Sequence, residues 1–279
     1  ELKIENYDYV VDLQKNKRGV RVTRALGRPH ASFPKLNFRK FLLSTFKINI
    51  MPDIHIVDRY FKAVEKLGVK NDYQGLDFFI SEKNNYDISQ LPENFQKGYY
   101  AFVIGGTYKT KILPAVKIVE IIKKINKAVV LLGGPDDVER AEEIIYRVNS
   151  QQSTDDRHRS QDSSSDSQIL RFSDSQILNL VGKINLEQSA SIVKNADSVL
   201  TNDTGLMHIA AAFHKNIVSV WGNTVPELGM YPYLPKEKEK CHIVECKDIR
   251  CRPCSKLGFK ECPKKHFRCM MDIDVERVV

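Results

Sequence analysis

Residues 198–213 read SVLTNDTGLMHIAAAF and change character twice. The apolar and β-branched run at 198–201 predicts a strand, and the small and apolar residues of 206–213 predict a helix. A short polar turn with Thr204 and Gly205 lies between them. The segment therefore predicts a strand, a turn and a helix in direct succession, which is the building unit of α/β folds.

The same alternation recurs on both sides of this segment. Buried strands are predicted at 101–104 and 128–132, each followed by two glycines, and another at 217–220. Helical patterns lie between them, one opened by Pro114 and one over 136–148. This order predicts an α/β fold with a largely parallel sheet.

Composition and charge exclude several classes of protein. With 42% hydrophobic and 28% charged residues, the chain is not wholly disordered, and no apolar run approaches the ~18 residues of a membrane helix. Residues 1–70 hold 15 Lys/Arg and 7 Asp/Glu, which equals the net charge of +8, and no acidic residue lies between Lys15 and Lys47. Such a stretch attracts a nucleic acid, an anionic lipid or a phosphorylated substrate, unless it is only a solvated face. No nucleic acid is expected, because no helix-turn-helix, zinc-finger or aromatic RNA-binding signature is present.

The helix start at 204–208 is a candidate anion site. Unpaired backbone amides begin the helix, Gly205 permits close approach of a ligand, and Thr204 adds a hydroxyl. His208 lies one turn further on and could face the ligand. The alternative is an ordinary helix, capped by Asp203 or Thr204, with His208 in the core. Asp-Thr-Gly also occurs in aspartic proteases, but those need two such loops in an all-β setting.

Two more glycine turns follow predicted strands. Gly105-Gly106 precedes Thr107 and Lys111, and a lysine can pair with a diphosphate. Gly133-Gly134 precedes Asp137, whose carboxylate could bind a ribose diol. Because the carboxyl ends of parallel strands meet at one edge of a sheet, the three turns predict a nucleotide-diphosphate site there.

A Ser-, Gln- and Asp-rich stretch near 149–174 predicts a disordered, flexible insert. The hexapeptide SDSQIL occurs at 165–170, within this stretch, and again at 173–178, where it runs past its end. We place the domain boundary in the polar stretch near 93–97, which divides the chain into domains 1–96 and 97–279.

All six cysteines lie in the tail 241–271. Four of them have the spacing C-x2-C-x7-C-x6-C, namely Cys251, Cys254, Cys262 and Cys269, and this predicts a structural zinc site. His266 is an alternative ligand. Unpaired thiols and, less favoured, disulfides are the competing interpretations.

The motif Asn202-Asp203-Thr204-Gly205-x-x-His208, followed by Trp221-Gly222-Asn223-Thr224-Val225-Pro226-Glu227, closely resembles the bacterial ADP-heptose:lipopolysaccharide heptosyltransferases, glycosyltransferase family nine. The turns at 105–111 and 133–137 support the resemblance. The segment Cys251–Cys254 resembles a subgroup typical of Bacteroidetes-like sequences. The resemblance covers nearly the whole chain apart from the insert.

The resemblance implies the GT-B fold, in which two Rossmann-like domains face a cleft. Residues 1–96 would form an incomplete acceptor-side domain, and 97–279 would bind the nucleotide sugar. Carried over residue by residue, the donor-binding side chains would be Thr107, Lys111, Asp137, Asp203, Thr204, Gly205 and His208. The implied partners are an ADP-heptose-like donor, an anionic glycolipid acceptor and the inner-membrane surface, which a cytoplasmic protein would touch peripherally.

The implied reaction inverts the anomeric carbon and needs no catalytic cofactor or metal. The family's proposed base is an aspartate in a Gly-Asp loop, which we expect upstream of Glu1, so the catalytic residue is not assigned. Two alternatives are a catalytically incomplete sugar-nucleotide-binding fragment and a basic nucleic-acid or interaction protein with a Cys-rich tail.

Overall fold

The structure, a computed structural model, describes residues 2–158 and 176–279, with the backbone alone for 151–158. The strands are β1 (Val10–Asp12), β2 (His30–Ser32), β3 (Tyr100–Val103), β4 (Val129–Leu132), β5 (Ile177–Asn179), β6 (Ser198–Asn202), β7 (Asn216–Trp221) and β8 (Cys241–Glu245). The α-helices are α1 (Lys17–Leu26), α2 (Asn37–Phe41), α3 (Ile56–Phe61), α4 (Glu93–Gln96), α5 (Ala115–Lys124), α6 (Val138–His158), α7 (Leu186–Asn195), α8 (Gly205–Ala212) and α9 (Arg268–Met271). A π-helix, Leu42–Phe46, follows α2.

Six of the strands form one parallel sheet in the order β5-β4-β3-β6-β7-β8. The chain builds outward from β3 to β5 and then returns to place β6 on the other side of β3. The order of strands therefore reverses between β3 and β6, where Val103 is paired with Thr201. Open α/β sheets form a crevice at the carboxyl ends of the strands at such a reversal.

Alternation along the strands divides the core between the two faces of this sheet. In β3, Phe102 belongs to one buried cluster, with α5 and α6, while Ala101 and Val103 belong to the other, with α7 and α8. The apolar face of α5 is fully buried, as its helical spacing predicts. Both faces of the sheet are covered, which explains why its strands read as continuous apolar runs.

The part of the chain before α4 is smaller and holds the parallel pair β1-β2. One of its contacts with the larger part is made by α3, where Arg59 Nη2 donates to the carbonyl of Leu228 at 2.9 Å. His55 Nδ1 accepts from the Val57 amide, so Nε2 donates to the Tyr231 carbonyl at 2.7 Å. Burial lowers the pKa of His55 to about 4, which keeps this imidazole neutral.

The boundary between 96 and 97 stays a prediction. On its N-terminal side, Leu91 and Phe95 are buried in the same cluster as Val103 of β3. The residues just before the boundary therefore pack as part of the larger unit.

The stretch near 149–174 was predicted to be a disordered insert, but its N-terminal part is helical. Helix α6 continues to His158, because residues 149–158 contain neither proline nor glycine to end it. Residues 159–174 of the predicted insert lie outside the described residues. Among the helices that the structure describes, none combines the length and apolarity needed to cross a bilayer.

Candidate functional site

A cavity of about 650 Å³ lies at the carboxyl ends of β3, β4 and β6. Its walls include all the predicted donor-binding residues, namely Thr107, Lys111, Asp137, Asp203, Thr204, Gly205 and His208. The structure thus brings together the three glycine turns at the reversal of strand order. Their roles toward a ligand stay predictions.

The first turn of α8 opens onto this cavity without a cap. Thr204 is the N-cap residue with extended backbone, but its side chain makes no capping hydrogen bond. Its Oγ1 lies 3.4 Å from Oγ1 of Thr201. Gly205 is exposed, and a Cβ built on it would meet no atom within 4 Å. The helix start therefore presents backbone N–H groups and the positive end of the helix dipole to a ligand.

Lys111 and Asp203 form an ion pair in the wall of the cavity. Lys111 Nζ lies 2.5 Å from Asp203 Oδ2, and the two side chains are only 16% and 8% exposed. Thr224 Oγ1 donates to the same carboxylate oxygen at 2.9 Å. The lysine that the sequence assigned to a diphosphate thus already has an anionic partner. Its ammonium is held at the cavity rather than free in solvent.

His208 lies beside this ion pair. Burial lowers the pKa of its imidazole. The two neighbouring charges have opposite effects, because Asp203 raises this pKa and Lys111 lowers it. The ring is therefore neutral at pH 7 and can donate one hydrogen bond and accept another.

Asp137 is engaged within its own turn. Its Oδ2 accepts from the Gly134 amide at 3.0 Å, and its Oδ1 accepts from Arg140 Nη1 at 2.9 Å. A Cβ built on Gly105 would lie 2.0 Å from Asp137 Oδ2, so the carboxylate also packs closely against the turn that follows β3. These contacts give both carboxylate oxygens of Asp137 partners within the protein. The binding of a ribose by Asp137 stays a prediction.

The sequence predicted no site role for several residues that shape the rest of the cavity. Asn202, which the motif contains, ties the ends of two strands together, because its Oδ1 accepts from the Leu113 amide at 3.1 Å and its Nδ2 donates to the Val103 carbonyl at 3.3 Å. Its position at the end of a predicted strand was the available signal. Apolar wall comes from Met230 and, far along the chain, from Leu257 of the Cys-rich tail.

The cysteine tail does not form a metal cluster in this structure. Within residues 2–158 and 176–279, no three His, Cys, Asp or Glu side chains are close enough to hold a metal ion. Cys251 Sγ lies 3.7 Å from His266 Nε2. Burial raises the pKa of Cys254 to about 11 and of Cys269 to about 12. Zinc on these residues and Cys262 stays a prediction, to be tested by metal analysis of protein purified without chelator.

Comparison with known proteins places the chain among named relatives. The family model described as glycosyltransferase family 9 (heptosyltransferase) matches residues 1–261. Lipopolysaccharide heptosyltransferase 2 of Escherichia coli K12 is 24% identical over 258 residues, which cover 87% of this chain and 66% of that protein. Lipooligosaccharide heptosyltransferase 2 of Campylobacter jejuni is 30% identical over 112 residues, 40% of this chain. That match spans a third of the Campylobacter protein (33%).

A solved structure has the same fold. The structure of E. coli ADP-heptose lipopolysaccharide heptosyltransferase II superposes with a TM-score of 0.64 at 20% sequence identity, covering 99% of this chain and 76% of that one. This match confirms the predicted α/β fold of the GT-B type.

Proposed function

The chain belongs to glycosyltransferase family 9, the heptosyltransferases, as its motifs predicted, and from this premise we propose that it transfers a heptose from an ADP-activated donor to a lipopolysaccharide-core acceptor. The observation that carries the proposal is the convergence of the uncapped α8 with Lys111 at one cavity. The name of the superposed relative, an ADP-heptose enzyme, directs the choice of nucleotide.

The donor diphosphate would bind at the start of α8. The free amides of the first turn donate to phosphate oxygens, and Thr204 and Thr107 add hydroxyls from two turns of the sheet. A cavity of about 650 Å³ is in the range that ligands of this size occupy. Lys111 reaches the phosphates from its pairing with Asp203, so its ammonium needs little reorganisation on binding.

The same groups would assist the reaction. As the acceptor hydroxyl gives up its proton to a base, which is not assigned among the described residues, its oxygen attacks the anomeric carbon from the opposite face, the bond to the diphosphate breaks and negative charge grows on the leaving phosphate. Lys111 and the α8 amides would stabilise this charge more in the transition state than in the ground state. The proposal therefore includes inversion and gives no step to a metal.

The basic surface formed by residues 15–47 is the basis for proposing where the acceptor binds. Arg18 and Arg21 are exposed on α1, and within the described residues no basic side chain from Lys15 to Lys47 forms an ion pair. We propose that this surface faces the anionic glycolipid and the inner membrane.

A sedimentation assay with phosphatidylglycerol vesicles tests the membrane part. Reversal of Arg18 and Arg21 to Glu is expected to reduce the bound fraction, because each basic residue contributes about 1 kcal/mol near an anionic surface. The matched control reverses Lys236 and Lys238, which are exposed on the larger part of the chain. Equal binding of the two variants contradicts this part of the proposal.

Calorimetric titration with ADP tests the donor site. Lys111→Met is expected to weaken ADP binding about tenfold or more, because it removes a charge-assisted contact worth about 1.5–3 kcal/mol. Lys109→Met is the control, since Lys109 is exposed in the same turn and does not line the cavity. Absence of ADP binding by the unaltered chain, or equal loss in both variants, overturns the proposal.

A further inference from the structure

Arg252 lies in the Cys-rich tail and is buried against the loop that follows β7. Its Nη2 donates to the carbonyl oxygens of Trp221 at 3.1 Å and Thr224 at 3.0 Å, and its Nε donates to the carbonyl of Gly222. Its charge is balanced by Glu245, whose Oε2 lies 2.9 Å from Nη2. One guanidinium therefore holds the backbone of the last residue of β7 and of two residues of the loop that follows it.

The loop in turn holds the ion pair of the donor cavity. Thr224 donates through Oγ1 to Asp203 Oδ2, the oxygen that also lies 2.5 Å from Lys111 Nζ. Arg252 bonds the backbone carbonyl of Thr224, the same residue whose hydroxyl donates to Asp203. A continuous chain of hydrogen bonds thus joins the Asp203 carboxylate to a residue of the tail.

A second attachment joins the tail to the turn that carries Lys111. The Thr110 amide donates to the carbonyl of Phe259 at 3.2 Å, and the Phe259 amide donates to Thr110 Oγ1 at 2.8 Å. Between these attachments, Leu257 lines the cavity. The segment 252–259 is therefore bonded to both loops that support the Lys111–Asp203 pair.

We infer that Arg252 is a positioning residue of the donor site, which acts through Thr224 to hold Asp203 and Lys111 in the orientation that receives a diphosphate. The inference rests on the proposed function. Arg252 does not line the cavity, so its effect on a ligand is indirect. A lysine would keep the charge beside Glu245 but could not reproduce the planar fork that reaches the carbonyl oxygens of Trp221, Gly222, Thr224 and Cys246.

The test compares Arg252→Lys, Thr224→Val and the double variant by calorimetric titration of the full chain with ADP. Each single change is expected to weaken binding about tenfold, the effect of losing one hydrogen bond to a charged group. The double variant is expected to lose little more than either single variant, because both changes interrupt one chain of contacts. The matched control is Arg268→Lys in the same tail, where an exposed arginine pairs with Asp272 at 2.7 Å, and it should bind ADP normally.

A second readout needs no ligand. The imidazole of His208 senses Asp203, which raises its pKa, and Lys111, which lowers it. NMR titration of the free protein should therefore show that the pKa of His208 shifts in the same direction in Arg252→Lys and in Thr224→Val. In Arg268→Lys the pKa of His208 should stay as in the unaltered chain. Thr224→Val keeps the test decisive if Arg252→Lys does not fold, since an unchanged ADP affinity and an unchanged His208 titration in that variant break the proposed link.

The outcomes separate the two proposals. Normal ADP affinity and normal His208 titration in folded Arg252→Lys, or a hundredfold additive loss in the double variant, overturn the inference about Arg252. An unaltered chain that does not bind ADP overturns the proposed function, and the His208 titration alone then decides whether Arg252 positions the ion pair.

Discussion

Two turns at the same edge of the sheet have a similar sequence pattern and opposite hydrogen bonding. After β4, the turn is closed by its own side chain, since Asp137 accepts from the Gly134 amide and from Arg140. After β6, the turn is open, since Thr204 makes no capping bond and Gly205 is exposed. Both are strand–glycine–helix turns with an acidic residue, and both line one cavity.

The difference shows that residue types alone do not identify a ligand-binding turn. Backbone donors at a helix start need a partner, and what supplies it decides the role of the turn. An aspartate placed after the glycines, as at 137, accepts from the Gly134 amide within its own turn. An aspartate placed before the glycine, as at 203, pairs with Lys111 instead, and the start of α8 has no side-chain cap.

The largest expected effect is on the closed turn. Gly105→Ala should lower the free energy of unfolding by about 3 kcal/mol, because the added methyl group would lie 2.0 Å from Asp137 Oδ2 and overpack a buried contact. Urea denaturation followed by circular dichroism measures it. An unchanged midpoint would mean that the closed turn is looser than its hydrogen bonds indicate.

Asp137→Asn separates the structural role of the closed turn from a role toward ribose. We expect a loss of about 2 kcal/mol in unfolding free energy, because the charge-assisted bonds to Gly134 and Arg140 are weakened. The ratio of the affinities for ADP and 2′,3′-dideoxy-ADP should stay as in the unaltered chain. A ratio that falls toward one in the variant would show that Asp137 binds the diol, and the contrast between the turns would then be incomplete.

Gly205→Ala tests the open turn. Its Cβ would meet no protein atom within 4 Å, so the free energy of unfolding should stay within about 1 kcal/mol of the original or rise, since alanine favours a helix over glycine. ADP binding should weaken about tenfold, because the methyl group occupies space beside the amides that a phosphate would approach. A stable variant with unaltered ADP affinity would remove the open turn from the site.

The smallest expected effect is on the titration of His208. Its pKa is lowered by burial, and Asp203, Lys111 and His55 are the titratable groups near it. A bound diphosphate adds negative charge and should raise this pKa, so ADP affinity should rise as pH falls through the titration of His208 and decline at higher pH. NMR titration with and without ADP measures both, and a pKa that falls on ADP binding would place the diphosphate elsewhere.

The sequence predicted the parts of the site that follow from local pattern. Strand runs followed by glycines at 105, 133 and 205 led to one edge of one sheet, because parallel strands require it. The pairing of Lys111 with Asp203 was not predictable, since it joins loops far apart in sequence. Neither was the position of Arg252, because a buried arginine in a polar tail carries no periodic signal. Helix α6 is longer than its polar composition predicts, because residues 149–158 contain no helix-breaking proline or glycine.

The topology of the sheet also has a consequence for the start of β5. The strand begins at Ile177, which pairs with Val129 at the start of β4, so the chain enters β5 at the amino edge of the sheet, while the cavity lies at the carboxyl ends of the strands. A change of length immediately before β5 therefore meets the sheet at the edge opposite the cavity. At the carboxyl edge, by contrast, one methyl group added to Gly105 would already lie 2.0 Å from Asp137 Oδ2.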